Sequence, residues 1–364
     1  AASIYAGKKD YLASATPHDY SVAGNKVDLT STKKLMDDFL IKTGEQANEE
    51  VAVSYLLFGI KNQETNKLTV FTKNERKVVP KSIVLVFSQE TFKQLTGKEL
   101  NLSSNQIALY TKNKTLKTQK SLSIDGKNYQ IHRQLGDFIN KKIPNIYKII
   151  VSDYSYLVVP DIKIFESSMK GTSITQATYV GVNVKNPTHD AKKNLDLLDQ
   201  IAGEATKQLD SQTTGVPVSY FSANSRYDAE GMVNGFVGGT FFIGIFLSII
   251  FMLGTVLVIY YKQISEGYED RERFVILQKI GLDDLQVKQT IRKQVLTVFF
   301  LPLIFSFIHL AFAYHMISLI VRIIGVLNPD LMLVVTIIVC GVFFLAYIMV
   351  FVLTSRSYRR IVSM

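Results

Sequence analysis

Phe236–Tyr261 reads FVGGTFFIGIFLSIIFMLGTVLVIYY, 26 residues without a single charge. A hydrocarbon core about 30 Å thick is crossed by about 20 apolar residues in a helix. A helix buried in a globular core would still carry a polar stripe, and this stretch has none. It is therefore expected to span a bilayer. Two more runs follow it. One extends over 295–324 and is interrupted only by Pro302, His309, His315 and Arg322; the other, 331–354, is again uncharged. Three spans are expected, at 236–261, 295–324 and 331–354.

Outward from these runs the charge is distributed unevenly. Residues 1–235 carry 30 Lys and Arg against 24 Asp and Glu. Beyond them, almost every charge sits in the connection 262–294 or in the tail 355–364, where Arg356, Arg359 and Arg360 lie. Lys and Arg beside span ends mark the cytoplasmic side. The connection also holds six acids, but acids weigh little in that rule. The C-terminus is thus expected in the cytoplasm and residues 1–235 outside, in a multi-pass protein of the cell membrane. That topology calls for at least one span ahead of residue 1. The chain opens on Ala1 with no cleavable signal-like stretch and reads as a fragment or processed product.

The outer part alternates strand-like and helix-like segments. β-Branched and aromatic runs bounded by Asn, Asp, Gly or Lys occur at 51–60, 68–72, 83–87, 106–110, 129–131, 147–151 and 178–184. Apolar residues at steps of three and four run through 188–212, from Ala191 to Leu209, behind the start signal Asn186-Pro187-Thr188. A second helix is expected over 31–44. The fold class expected is an α+β extracytoplasmic domain, with a partly antiparallel sheet, followed by three transmembrane α-helices.

Little in the chain suggests catalysis. There is no GxxxxGK[ST] loop to hold nucleotide phosphates, and no HExxH, CxxC or GxSxG. The five histidines are scattered, and the lone Cys340 lies in an apolar run, so no metal site, cofactor or disulfide framework is expected. The neighbouring acids Asp37-Asp38 and Glu49-Glu50 diverge on a helix and read as solvated faces. No basic stripe interleaved with aromatics points to nucleic acid. The chain reads as a non-enzymatic subunit.

The informative stretch is Glu266–Gln294, EGYEDRERFVILQKIGLDDLQVKQTIRKQ. Phe274, Leu277 and Leu285 outline an amphipathic helix broken at Gly281, where a left-handed residue would end it, with Asp283 or Asp284 near the start of the next. From the residues alone it is either a docking helix or a wet connecting loop. Gly231, Gly235 and Gly239, four apart, either give a smooth face for another helix or loosen the junction. Pro302 is expected to kink its span. His309, at mid-membrane, is either a hydrogen-bonded structural histidine or a functional one; Arg322 reads as an interfacial anchor.

Glu269, Arg271, Glu272, Phe274 and the piece Ile276-Leu277-Gln278-Lys279-Ile280-Gly281, followed by polar residues and a span, resemble the FtsX-like (MacB-like) permeases of ABC transporters. Tyr261-Lys262-Gln263-Ile264-Ser265-Glu266-Gly267 looks most like the bacitracin and antimicrobial-peptide resistance type. The resemblance covers Gly235–Met364; over 1–234 it is one of size and placement. It implies that Glu269, Arg271, Glu272, Phe274, Leu277 and Gly281 form a coupling element gripped by a separate ATPase subunit. It further implies an outer domain that engages peptides or lipid pyrophosphates, and a sensor histidine kinase as membrane partner. The alternatives are a membrane-anchored receptor or adhesion protein, and an FtsX-like regulator of cell-wall hydrolases.

Overall fold

The computed structural model describes residues 2–362 apart from 74, 76–79, 81, 145–150, 152, 186–190, 210–218, 280, 282–283 and 324–328. The expected strand at 147–151 thus falls almost wholly outside the described residues. The chain divides into two compact units, Lys9–Asn234 and Ala1–Lys8 with Gly235–Met364.

The first unit is built on one mixed sheet whose middle closes on itself. The strands are β1 (Tyr20–Asn25), β2 (Ala47–Glu64), β3 (Lys67–Val70), β4 (Ser82–Ser88), β5 (Gln106–Thr111), β6 (Ser121–Ile124), β7 (Lys127–Gln134), β8 (Asp153–Val159), β9 (Ile174–Val184) and β10 (Tyr220–Ser225). They run in the order β10-β1-β9-β2-β3-β6-β7-β5-β8-β4, and β4 pairs back onto β2. Closure depends on the length of β2. Its first two-thirds pair with β9, Leu56–Ile60 pair with β4, and Ile60–Glu64 pair with β3 across a bulge between Ile60 and Asn62. Seven strands, β2 to β8, therefore form a small barrel. Inward residues such as Phe58, Val84, Leu109, Leu122 and Leu157 fill it as one apolar cluster, with the side-chain period of two that a strand imposes.

Both ends of the barrel are stoppered. The short helix α4 (Lys114–Lys117) lowers Leu116 into the cluster at the end where β5 and β7 finish. Helix α5 (Ile162–Ser168) brings in Phe165 at the opposite end, with Met169 just beyond it. Each helix is started by an Asx cap. Asn113 accepts from the amides of Thr115 and Leu116, and Asp161 from those of Lys163 and Ile164. Helix α3 (Gln89–Thr96) packs outside, on β4 and β8.

Beside the barrel, β10-β1-β9-β2 form an open antiparallel layer. It is covered by α2 (Leu29–Thr43) and α6 (Ala191–Leu209). Helix α2 overlaps the helix expected over 31–44, and α6 lies within the expected 188–212, whose start signal at 186–188 is outside the described residues. In α2, Thr32, Leu35, Met36 and Phe39 are buried; Asp28 caps its start, and Gly44 (φ +71) ends it by donating to Leu40 O at 3.0 Å. Tyr20, Val22, Val180 and Val182 meet this helix layer from the sheet. The expected α+β class, followed by long apolar helices, is what the structure shows.

Helices α7 (Arg226–Lys279), α8 (Asp284–Ile323) and α9 (Pro329–Val362) carry segments long and apolar enough to cross a membrane; α7 and α1 (Ala2–Ala15) each have residues in both units. Ile259, Phe299, Leu303, Tyr347 and Phe351 pack the three long helices together at one level. There the Tyr347 hydroxyl donates to Phe299 O at 2.8 Å, three residues before Pro302 in α8. Proline removes a helix donor, and backbone acceptors loosened in hydrocarbon must find partners on neighbouring helices. Pro302 frees the Val298 carbonyl, and Tyr347 supplies a donor to the backbone one residue further on. His309 is exposed on α8, and the side chain of Arg322 lies outside the described residues.

Candidate functional site

The stretch expected to couple is not a loop. Helix α7 runs unbroken for 54 residues, about 80 Å at 1.5 Å per residue. Its apolar part gives way at Lys262 to Lys, Gln, Glu and Arg, all good helix formers, and no proline intervenes. Lys262 and Glu266, 3.7 Å apart one turn on, are an exposed pair worth little by itself. The chain reverses at Gly281, whose φ is +107, a backbone angle that residues with a Cβ rarely adopt. Helix α8 then starts at Asp284. The result is a helical hairpin reaching past the apolar segments. Glu269, Arg271 and Glu272 are exposed on it. Phe274 and Leu277 lie on the same helical stretch, and their side chains fall outside the described residues. Gly231, Gly235 and Gly239 are exposed on α7, and a Cβ added at any of them would meet nothing within 4 Å.

The start of α7 is fixed firmly within the first unit. Arg226, its first residue, donates Nε to Thr16 O at 3.1 Å and Nη1 to Asp19 Oδ1 at 3.3 Å, while its amide donates to Asp19 O at 3.0 Å. The other carboxylate oxygen of Asp19 accepts the Val184 amide of β9 at 3.0 Å, and the Asp19 amide donates to Asn183 Oδ1 at 3.2 Å. Asp19 thus joins the root of α7 to the end of a central strand. Sequence reading did not single out either residue. The signal available was the lone Arg226 in a stretch, 208–261, with no other cation.

Next to this junction His18 is 3% exposed, and its Nδ1 is 2.8 Å from the Tyr179 hydroxyl. Burial lowers its pKa to about 4; nearby Glu49 and Asp19 oppose the shift and Arg226 adds to it. Burial also raises the Tyr179 hydroxyl. His18 is therefore neutral in the folded chain, whereas the unfolded chain takes up the proton below its ordinary value of 6.5. Stability from this site is complete above pH 6.5 and is lost as pH falls toward about 4, by about 3 kcal/mol in all. Hydrogen exchange at the Val180 and Val182 amides, compared between wild type and His18→Gln, measures it. The difference should shrink as the pH falls through that window; a constant difference rules the linkage out.

The two barrel mouths differ chemically. At the α5 end a cleft of about 500 Å³ opens between Asn105, Asn128, Tyr129, Pro160, Ile164 and Ser168. Its charges are one of each sign, Lys127 and Asp161. At the α4 end the charge is mostly positive. Among the described residues no group of three or more His, Cys, Asp or Glu is placed to hold a metal ion.

The sequence matches no family model. Three curated proteins of Bacillus subtilis (strain 168) are similar to it. ABC transporter permease protein YxdM is 35% identical over 72 residues, 20% of this chain and 12% of its own. An uncharacterized ABC transporter permease, YvcS, is 29% identical over 121 residues, 33% of this chain and 18% of its own. Bacitracin export permease protein BceB is 26% identical over 140 residues, 38% of this chain and 19% of its own. The matched stretches thus span less than a fifth of each relative. They bear out the resemblance to ABC transporter permeases, the bacitracin type among them. Together with three apolar helices, they place the chain among integral membrane proteins. A solved lipoprotein structure from Bacillus anthracis covers 49% of this chain and 92% of its own at 13% identity and a TM-score of 0.26, too loose a likeness to carry an argument.

Proposed function

We propose that this chain is a permease subunit that couples ATP hydrolysis on a separate subunit to movement of its own outer domain. The observation behind this reading is α7. One unbroken helix begins at Arg226, within the outer unit, carries the apolar span, and ends beyond it in the charged hairpin around Gly281. A push on a stiff helix at one end is felt at the other, which a flexible linker would not achieve. Similarity to three ABC transporter permeases supports the same reading.

In this scheme residues 1–235 lie outside, and the hairpin and C-terminal tail lie in the cytoplasm. Glu269, Arg271, Glu272, Phe274, Leu277 and Gly281 form the surface the ATPase subunit grips. Gly231, Gly235 and Gly239 give another helix a smooth face. One relative's name concerns bacitracin export, and the outer domain here is proposed to act in antimicrobial-peptide resistance or sensing. Peptides or lipid pyrophosphates would then be its ligands, and a sensor histidine kinase a membrane partner.

The test is co-purification of the full-length protein from native membranes, beside a variant carrying Glu269→Ala, Arg271→Ala and Glu272→Ala. An ATPase subunit is expected with the wild type and at least about tenfold less with the variant, corresponding to about 1.4 kcal/mol of binding. Equal recovery with both would move the coupling site elsewhere. No ATPase with a folded wild type would overturn the permease reading.

A further inference from the structure

We infer that the α4 mouth of the barrel is a docking surface for a linear, phosphate-rich polyanion. Residues 101–150 hold nine Lys and Arg against two Asp and Glu, so the rest of the outer part is close to neutral. Strand topology concentrates a large share of these cations. β5 and β7 run parallel and finish at the same end, with Ala108 beside Arg133 and Leu109 beside Gln134. The chain then leaves β5 and crosses the end of β7 to reach β6 on its far side. Lys112, Lys114, Lys117 and Lys120 are spread along that crossover. Lys120 O accepts the Ile131 amide, which sets the crossover's end beside His132 and Arg133. With neighbouring strands about 4.8 Å apart, the crossing spans roughly 10 Å.

All these side chains are exposed. Leu116 points into the core, so α4 is held with its lysines facing out. Lys112 lies over the Tyr154 ring at 5.2 Å. Lys114, Lys117, Lys120 and Arg133 make no ion pair among the described residues. The acids on this rim are Glu64 on β2, opposite Lys67, Asp153, which accepts from Asn113 Nδ2 at 2.8 Å, and Asp137 just past β7, close enough to Tyr154 beneath Lys112 to act on its hydroxyl. Lys112, Lys114, Lys117, Lys120 and Arg133 outnumber them. Like charges gathered this way cost self-repulsion and produce a local positive field.

The shape of the site selects the ligand. The cations are strung along a ridge with no enclosed cavity among them, which suits a chain of charges better than one compact anion. No large apolar side chain is exposed between residues 101 and 144, whereas surfaces that bind bilayers insert such groups. Among the described residues of 101–144 no exposed aromatic offers a base a stacking platform. A polymer bearing phosphate along its backbone meets these conditions. The inference is independent of the ATPase reading.

The experiment uses the full chain in phosphatidylcholine nanodiscs and fluorescently labelled inorganic polyphosphate, followed by anisotropy across a salt series. Wild type should bind at low salt, with affinity falling steeply as salt rises. Lys114→Gln, Lys117→Gln and Lys120→Gln combined should weaken binding at least tenfold. They should also lower the log–log salt slope by about 2, as three released counterions require for a single-stranded polyanion. Lys117→Glu alone should weaken it more than Lys117→Gln. Lys163→Gln, Lys170→Gln and Lys192→Gln combined should change neither quantity. The inference fails if wild type does not bind polyphosphate, or if the control triple loses as much as the first. It also fails if binding appears only with phosphatidylglycerol vesicles, which would make the rim a membrane contact.

Discussion

Gly24→Ala is expected to destabilise the domain formed by residues 9–234 by about 2–4 kcal/mol, a large fraction of the stability of an ordinary domain. Gly24 lies in β1 between β9 and β10, paired with Thr178 on one side and Phe221 on the other. Its backbone is ordinary strand, so the requirement is for space. A Cβ there would collide with Val27 Cγ2 and Thr178 Oγ1 and would sit 2.9 Å from Thr32 Oγ1. Thr32 and Thr178 are fully buried and share a hydrogen bond at 2.7 Å. Parting them breaks that hydrogen bond, at about 1 kcal/mol, while Thr32 Oγ1 keeps its bond to Asp28 O at 3.0 Å; the strain of overpacking adds about 1–3 kcal/mol. Gly203→Ala is the contrasting control. It lies on α6 with nothing within 4 Å of the added Cβ, and helix propensity predicts a gain of up to about 1 kcal/mol. Denaturant unfolding of both variants, followed by tyrosine fluorescence, gives the comparison. If Gly24→Ala unfolds at the wild-type midpoint, β1 can shift at little cost and the tight packing of this seam is not structural.

Some of this architecture could be read from the sequence and some could not, for identifiable reasons. Spans and amphipathic helices are local signals: an uncharged run of 26 residues, or Leu35, Met36 and Phe39 on one face. The strands at 83–87 and 106–110 announce themselves by composition. Barrel closure does not, because it depends on β2 serving β9, β4 and β3 along one strand of 18 residues. That is a register relation between segments far apart. The strands at Ser121–Ile124 and Tyr220–Ser225 are short and polar-rich, and were hidden for that reason. At the candidate site, the exposed charges of Glu269–Glu272 and the break at Gly281 were visible in sequence. That they lie on the same helix as the span was not, since the change from apolar to charged residues at Lys262 reads as an element boundary. The basic mouth was equally hidden: spaced lysines look like a solvated loop until a crossover gathers them on one rim.

Asp19 is the residue whose loss should matter most to transmission along α7. Its two carboxylate oxygens take Arg226 Nη1 and the Val184 amide, so one side chain holds the helix root to β9. The side chain of Asp19 is 12% exposed and that of Arg226 35%, well short of the free solvation that makes surface pairs weak. Asp19→Ala leaves a strand amide without its acceptor and an arginine without its counter-ion, at about 3 kcal/mol in total. Asp19→Asn, which keeps one acceptor oxygen, should cost about half as much. A double-mutant cycle with Arg226→Gln should show a coupling of at least about 1 kcal/mol, as residues sharing a network do. The position of the pair separates a coupling role from simple stability. Asp19→Ala should leave ATPase co-purification at the wild-type level, because the hairpin around Gly281 is far along the helix. Exchange protection of the amides of residues 226–234 should collapse, and ATP-dependent changes in protection of the outer domain should vanish. If those changes persist while the root is deprotected, the push does not travel through Arg226, and the outer domain is moved by another element.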